Sequence, residues 1–338
     1  MKNASSVTRR RRFGTSRWLV LLLIIASVFV VRAVSPVMPG VTVAPERIAG
    51  PFVLPVIGEM YLTDSLVGLF IVDGLLIAVA FAVRRALRRG QMVLRGLAGA
   101  TEAIVEALYN LTESTAGKWA RQVFPWVAGI ILVVLVGNLV KLLPGVESIG
   151  LLHVAEGEGK GHAARHLFML GNLPVTALVN RPPAEGEELY SVVPFVRGVT
   201  TDLNFTVGLA LISVFMTQVI GVRAAGLGYF KKFFNLGRLA KMWTKERLGP
   251  FEAIFPFLDL FVGLLELIAE FAKIISFSFR LFGNMFAGAV LLFIIGILVP
   301  VFVPSGVVLF EVFVGLIQAL VFGMLTLVFM TMATKVHG

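Results

Sequence analysis

The sequence predicts an all-α polytopic membrane protein: five core membrane helices plus an N-terminal signal or anchor helix, with the last two helices forming a long, strongly tilted hairpin. Three observations predict it. Of 338 residues, 57% are hydrophobic and 15% charged, whereas a soluble domain is nearer half apolar and a quarter charged. Several apolar runs reach the roughly 20 residues that a helix needs to cross the hydrocarbon core, where a helix satisfies its own backbone polar groups. The basic excess, a net charge of +10, is gathered beside these runs. That fits membrane orientation better than nucleic-acid binding. The chain has no cysteine, which excludes disulfides, thiolate metal sites and cysteine nucleophiles.

Along the chain, Lys2, Arg9 to Arg12 and Arg17 precede the apolar run Trp18 to Val34. Residues 1–34 therefore read as a basic N-terminus with a signal peptide or an uncleaved signal anchor. Residues 35–64, rich in Pro and Gly, read as an external loop. Ser65–Val83 spans the membrane, carries Asp73, and runs into Arg84, Arg85, Arg88, Arg89 and Arg95. Within 91–122, Leu97, Ile104, Leu108 and Leu111 recur at helical spacing with Glu102, Glu106 and Glu113 on the other side. This is an amphipathic helix for the cytoplasmic membrane surface or a partner. Phe124–Leu143 spans again and stops at Pro144-Gly145. Residues 144–202 read as a polar external loop, Phe205–Val222 spans, and 223–251 form a basic loop.

Residues 252–334 then form the hairpin: an apolar stretch from Phe255 to Val303 and, after Pro304-Ser305-Gly306, a last helix to Ala333. Placing 1–17, 84–95 and 223–247 in the cytoplasm is self-consistent by the positive-inside rule. It leaves Lys335 and the C-terminus cytoplasmic, so the chain reads as a multi-pass protein of a bacterial plasma membrane.

The hairpin carries the chemistry. At 1.5 Å per residue its first arm is about twice as long as the roughly 30 Å core, so it tilts, breaks, or lies partly in the membrane plane. Glu252, Asp259, Glu266, Lys273 and Arg280 recur every seven residues, with Glu270 and Asn284 on the same stripe. A seven-residue step drifts only about 20° per repeat, so one face is polar in apolar surroundings. A charge run is usually a solvated face, but here the intervening residues are nearly all apolar. Intramembrane charges cost about 2.5–3.5 kcal/mol on insertion scales and face cavities or opposite charges.

Arg280 is the sharpest case, because a guanidinium keeps its proton. It cannot relay a proton by losing one. It can hold a nearby carboxylate ionised and repel cations, as a barrier between two half-channels must. Its nearest stripe acids, Glu266 and Glu270, are turns away, which points to a carboxylate on another subunit. On the last helix Glu311 and Gln318 stand seven apart. Glu311, near the outer end, is either an ion-path group or an acid snorkelling to the interface.

The run Arg280-Leu281-Phe282-Gly283-Asn284-Met285-Phe286-Ala287-Gly288, preceded by Ser276, resembles the signature of F-type ATP synthase subunit a. Gln318-Ala319 with Phe322, Asp202-Leu203-Asn204-Phe205-Thr206, and Asn138 to Pro144-Gly145 resemble other motifs of that family. The resemblance covers residues 60–335 in order and is strongest in 255–335. It implies a membrane stator subunit, non-catalytic by itself, that passes H+ or Na+ through two offset half-channels to a rotating ring of c subunits. Its implied partners are that ring, the b subunits of the peripheral stalk, the remainder of the F1Fo complex, and the lipid bilayer. No nucleic acid, metal or cofactor is implied.

By the same resemblance Arg280 matches the family's essential arginine, and Asn284 and Gln318 its polar neighbours. Glu266 sits where the family often has a cytoplasmic-side acid, with Glu270 and Lys273 beside it. Asp202, Asn204 and Glu311 lie toward the outer side. The family often has an acid or histidine where this chain has Ala289. A secondary transporter or permease is the alternative; it predicts broken helices and inverted repeats, and neither is visible. His162 and His166 have zinc-like i, i+4 spacing but no third ligand.

Overall fold

The computed structural model describes residues 44–55, 58–88, 96–143, 145–155, 161–171, 173–179, 181, 187–233, 255–298 and 302–335, with single positions between 18 and 29. The signal or anchor reading of 1–34, the proline pair 182–183 and most of the basic loop 223–251 fall outside these residues. So does Glu252.

Among the fully described segments six helices follow in order: α1 Asp64–Arg88, α2 Leu97–Ala116, α3 Ala120–Val140, α4 Leu203–Ala225, α5 Phe255–Leu298 and α6 Phe302–Thr334. Between α2 and α3 the chain makes a 3-10 turn, Gly117–Trp119, entered through Gly117 at φ 53, and folds back there, so that Tyr109 of α2 lies 5.2 Å from Phe124 of α3, ring to ring. Among the described residues five helical stretches are long and apolar enough to cross a membrane, α2 and α3 being counted together. The protein is a helical, multi-pass membrane protein.

The hairpin's first arm is settled in one respect. α5 is continuous over 44 residues, about 66 Å at helical rise, so the option of a break is excluded within it. The last helix begins earlier than its Pro304-Ser305-Gly306 suggests. Pro304 sits in the first turn of α6, where a missing N–H costs no intrahelical bond.

The two stretches expected to be external loops without regular structure contain strands. Residues 35–64 hold an antiparallel hairpin, β1 Arg47–Leu54 with β2 Gly58–Thr63. Within 144–202 lie β3 Gly150–Val154, β4 Ala163–Leu170, β5 Leu173–Val179 and β6 Tyr190–Pro194. β4 pairs β5, placing His166 opposite Thr176, and β3 pairs β6. Short β-branched and aromatic runs make these strands; Gly50-Pro51 and Pro174 hide their periodicity in the sequence.

The chain folds as two compact units. The smaller, which includes Leu152–Val192, contains the β4–β5 hairpin. The larger comprises Thr42–Leu151, Val193–Ala289 and Glu311–Gly338. Its core joins Leu108 of α2; Val123, Val127, Ile131 and Val134 of α3; Ala210 and Ile220 of α4; Phe277, Leu281 and Met285 of α5; and Phe322, Leu327 and Met330 of α6. Glycines set its closest approaches. A Cβ at Gly315 of α6 would stand 2.9 Å from Asn138 Cβ, and one at Gly323 would run into Ile131.

Candidate functional site

α5 positions Arg280 by its period. Phe277, Leu281 and Met285, at i, i+4 and i+8, are buried against the core. Phe277 lies 5.2 Å from Phe322 and 5.6 Å from Phe329, ring to ring. The flanking face carries Ser276, Arg280, Gly283, Asn284 and Ala287, all exposed in this chain. Around and before them Phe271, Ile275 and Phe279 are exposed too, so the guanidinium is set in an uncovered apolar surface. Its only hydrogen bond among the described residues is a long one, Nη2 to Ser276 Oγ at 3.4 Å. Asn284 shares this face and makes no hydrogen bond among the described residues; Gln318 on α6 is half-buried beside the buried Ala319 and likewise makes none.

Glu266 and Glu270 are paired with lysines and not with Arg280. Lys232 Nζ, from the turn after α4, lies 2.6 Å from Glu266 Oε1 and 3.1 Å from Glu270 Oε1. Lys273 Nζ lies 2.8 Å from the same Glu270 oxygen and 4.6 Å from the Phe329 ring. Burial would lower the pKa of Lys232, but its bonds to Glu266 and Glu270 outweigh that and raise it. Glu266, Glu270 and Lys273 are thus brought into one self-neutralising cluster.

At the other end of the helices lies a drier polar layer. Asp202 is buried and caps α4: its Oδ1 accepts from Asn204 N–H at 2.8 Å, and its Oδ2 accepts from Ser65 Oγ at 2.5 Å. The Asn204 side chain is exposed. Asn138 Nδ2 donates to Gly315 O at 3.0 Å, and Thr200 Oγ1 donates to Asn138 Oδ1 at 2.6 Å. Glu311 does not snorkel. It is turned inward, 4% exposed, with Lys141 Nζ 3.0 Å from its Oε2.

The ion path that this arrangement suggests has a match among known proteins. A family model, the ATP synthase A chain, matches residues 66–331. The chain belongs to the ATP synthase A chain family. It is similar to ATP synthase subunit a of Moorella thermoacetica, at 26% identity over 283 residues, covering 83% of this chain and 94% of the relative. Against the sodium ion specific subunit a of Propionigenium modestum the identity is 29%, over 68% of this chain and 60% of the relative. Against subunit a of Helicobacter pylori strain P12 it is 30%, over 79% and 88%. A member of the ATP synthase A chain family is an ion-translocating stator subunit of the membrane sector, non-catalytic by itself and assembled with other ATP synthase subunits.

Sequence reasoning about this family member missed Lys141, Lys232, Glu147 and Ser65. Lys141 was findable: a cation inside an apolar run is a functional candidate by default. Lys232 was hidden in a loop where basic residues have a sufficient explanation in orientation.

Proposed function

We propose that Arg280 faces an ionised carboxylate carried by each c subunit of a rotating ring, and that the chain serves that ring with two offset half-channels. One observation carries this reading. A permanently charged side chain stands on the coreless face of an apolar helix, with no acid paired to it among the described residues. A charge so placed needs a counter-charge from outside the chain. Arg280 holds the ring carboxylate ionised and blocks a direct ion leak. Asn284 and Gln318 line its approach. Glu266, Glu270 and Lys273 with Lys232 serve the inner half-channel, and Glu311, Asp202 and Asn204 the outer one.

The orientation puts Arg84, Arg85, Arg88, Lys231, Lys232 and the C-terminus on the cytoplasmic side of a bacterial plasma membrane. The exposed acids Glu102, Glu106 and Glu113 of α2 give the b subunits of the peripheral stalk a surface there. The transported ion is H+, and the sodium ion specific relative makes Na+ the alternative to test. Arg280→Ala in the assembled complex tests the core of the reading. Loss of both ATP synthesis and ATP-driven ion pumping is expected; retained pumping overturns it. Solute movement by the purified chain alone would instead favour a transporter.

A further inference from the structure

The buried pair Lys141–Glu311 is built differently from an ordinary structural ion pair. Both side chains are nearly dry, 3% and 4% exposed. The ammonium donates to the Met285 carbonyl of α5 at 3.3 Å. It stands 3.0 Å from Glu311 Oε2, and neither oxygen of this buried carboxylate has a hydrogen-bond partner among the described residues. A carboxylate kept for stability alone would have its lone pairs satisfied. Gly288 faces it: a Cβ there would run into Oε1, so the missing side chain leaves room at the oxygen that Lys141 does not hold.

A second acid lies along the same lysine. A Cβ at Gly198 would stand 3.0 Å and 3.1 Å from Lys141 Cβ and Cδ, and 3.2 Å from Glu147 Oε1. One glycine thus lets the lysine stem and Glu147 come together. The Gly198 N–H donates to Glu147 Oε1 at 3.0 Å. Burial pushes the Glu147 carboxyl above the usual carboxylate range. The Gly198 bond and the charges of Lys141 and Arg197 restrain that rise, while the Glu311 charge adds to it.

The other charged groups of this layer are engaged. Asp64 accepts from the Glu46 and Ser65 N–H groups, Asp202 is held by Ser65 and Asn204, and half-exposed Arg197 donates to the Ala44 carbonyl. α5 adds the Met285 carbonyl here and keeps Arg280 on its exposed face.

We propose that Lys141 is the positioning residue of a two-acid proton relay, Glu147 to Glu311, on the outer side of the path. The proposal rests on the ion-path reading above. Two acids under the influence of one buried ammonium, Glu311 buried and Glu147 half-buried, cannot both stay ionised cheaply, so the group carries one exchangeable proton. A proton from external water binds Glu147, passes to a Glu311 oxygen, and leaves toward the ring carboxylate. Lys141 keeps its own proton throughout and returns Glu311 to its ionised form.

The test uses the whole complex in liposomes with its catalytic part outside. ATP synthesis is driven by an imposed potential while the lumenal pH is varied. In the wild type the rate falls as lumenal pH rises through the relay's midpoint. Without the ammonium the acids hold their proton more tightly, so Lys141→Met should raise that midpoint by about one pH unit. Lys141→Arg, which keeps the charge, should restore it. An unchanged midpoint in the Lys141→Met complexes that do assemble reduces Lys141 to a packing role and overturns the proposal.

Should Lys141→Met not assemble, the neutral double variant K141M/E311Q is measured beside Glu311→Gln. Equal, roughly tenfold reduced rates are expected; a wild-type rate and midpoint in the double variant overturn the relay. Arg280→Ala is run in parallel. Activity surviving there sinks the ion-path reading itself, whereas an unshifted Lys141→Met midpoint beside a dead Arg280→Ala sinks only the relay.

Discussion

Two of the cations carried by the apolar helices of this protein, Lys141 and Arg280, are treated oppositely by the fold. Lys141 at the end of α3 is enclosed, with Glu311 brought to it from α6. Arg280 on α5 is turned away from the core, with no acid of its own chain in reach among the described residues. The difference follows from helical period. Lys141 continues the buried positions Val134, Asn138 and Val140 toward the helix end, while Arg280 falls outside the buried face of Phe277, Leu281 and Met285. An enclosed charge must be neutralised by the chain itself, and an outward one can be left for a partner. Stability should therefore depend on the first cation and not on the second.

The largest expected effect separates the two outright. Arg280→Ala should abolish ATP synthesis and ATP-driven pumping while leaving the amount of folded chain in the membrane near normal, because the guanidinium makes no core contact. A collapse in assembled protein would show that Arg280 is structural. A loss of stability is expected at Glu311→Leu, which strands a buried ammonium at a cost of about 3–5 kcal/mol. It should lower the Tm of the detergent-solubilised chain, and K141M/E311L, which removes both charges, should recover most of it. A double variant no more stable than the single would mean that the pair is not the source of the loss.

Smaller effects probe the frame around the pair. Gly315→Ala places a methyl group 2.9 Å from Asn138 Cβ, an overpacking worth about 1–3 kcal/mol. It should also loosen the Asn138 bond that ties α3 to α6, visible as faster hydrogen exchange at both helices. Ser65→Ala removes one of the two bonds to Asp202 but leaves the α4 cap. A loss of about 1 kcal/mol is expected; no measurable loss would show that the cap alone satisfies that carboxylate.

How much of this could be read from the residues differs between the two cations. The apolar runs, the seven-residue stripe and the isolation of Arg280 are local patterns, so the face they form was legible. The pairing of Lys141 with Glu311 was not, because it depends on which helices are neighbours and on Gly198, Gly288 and Gly315 letting side chains close in. Glu266 and Glu270 stood out on the stripe, but their partner Lys232 sat among basic residues that the positive-inside rule already explained. The strands were lost for another reason: Gly50-Pro51 and Pro174 break the alternation that would have revealed them.

The smallest effect belongs to the inner cluster, and it sharpens the contrast by its response to pH and salt. Lys232 is 37% exposed beside Glu266 at 35%, so water screens the pair and its removal should cost less than about 1 kcal/mol. Its bonds to the two acids raise its pKa. The stabilisation is thus fully present below the ordinary lysine pKa and is lost only as pH climbs through the raised value. Lys232→Met should therefore lower Tm by a small amount that stays constant across neutral pH and shrinks as salt is added. The deficit of Glu311→Leu, arising in a layer that mobile ions do not reach, should not respond to salt. A salt-dependent Glu311→Leu deficit would mean that the outer layer is wet, and the distinction between the two clusters would then be one of degree.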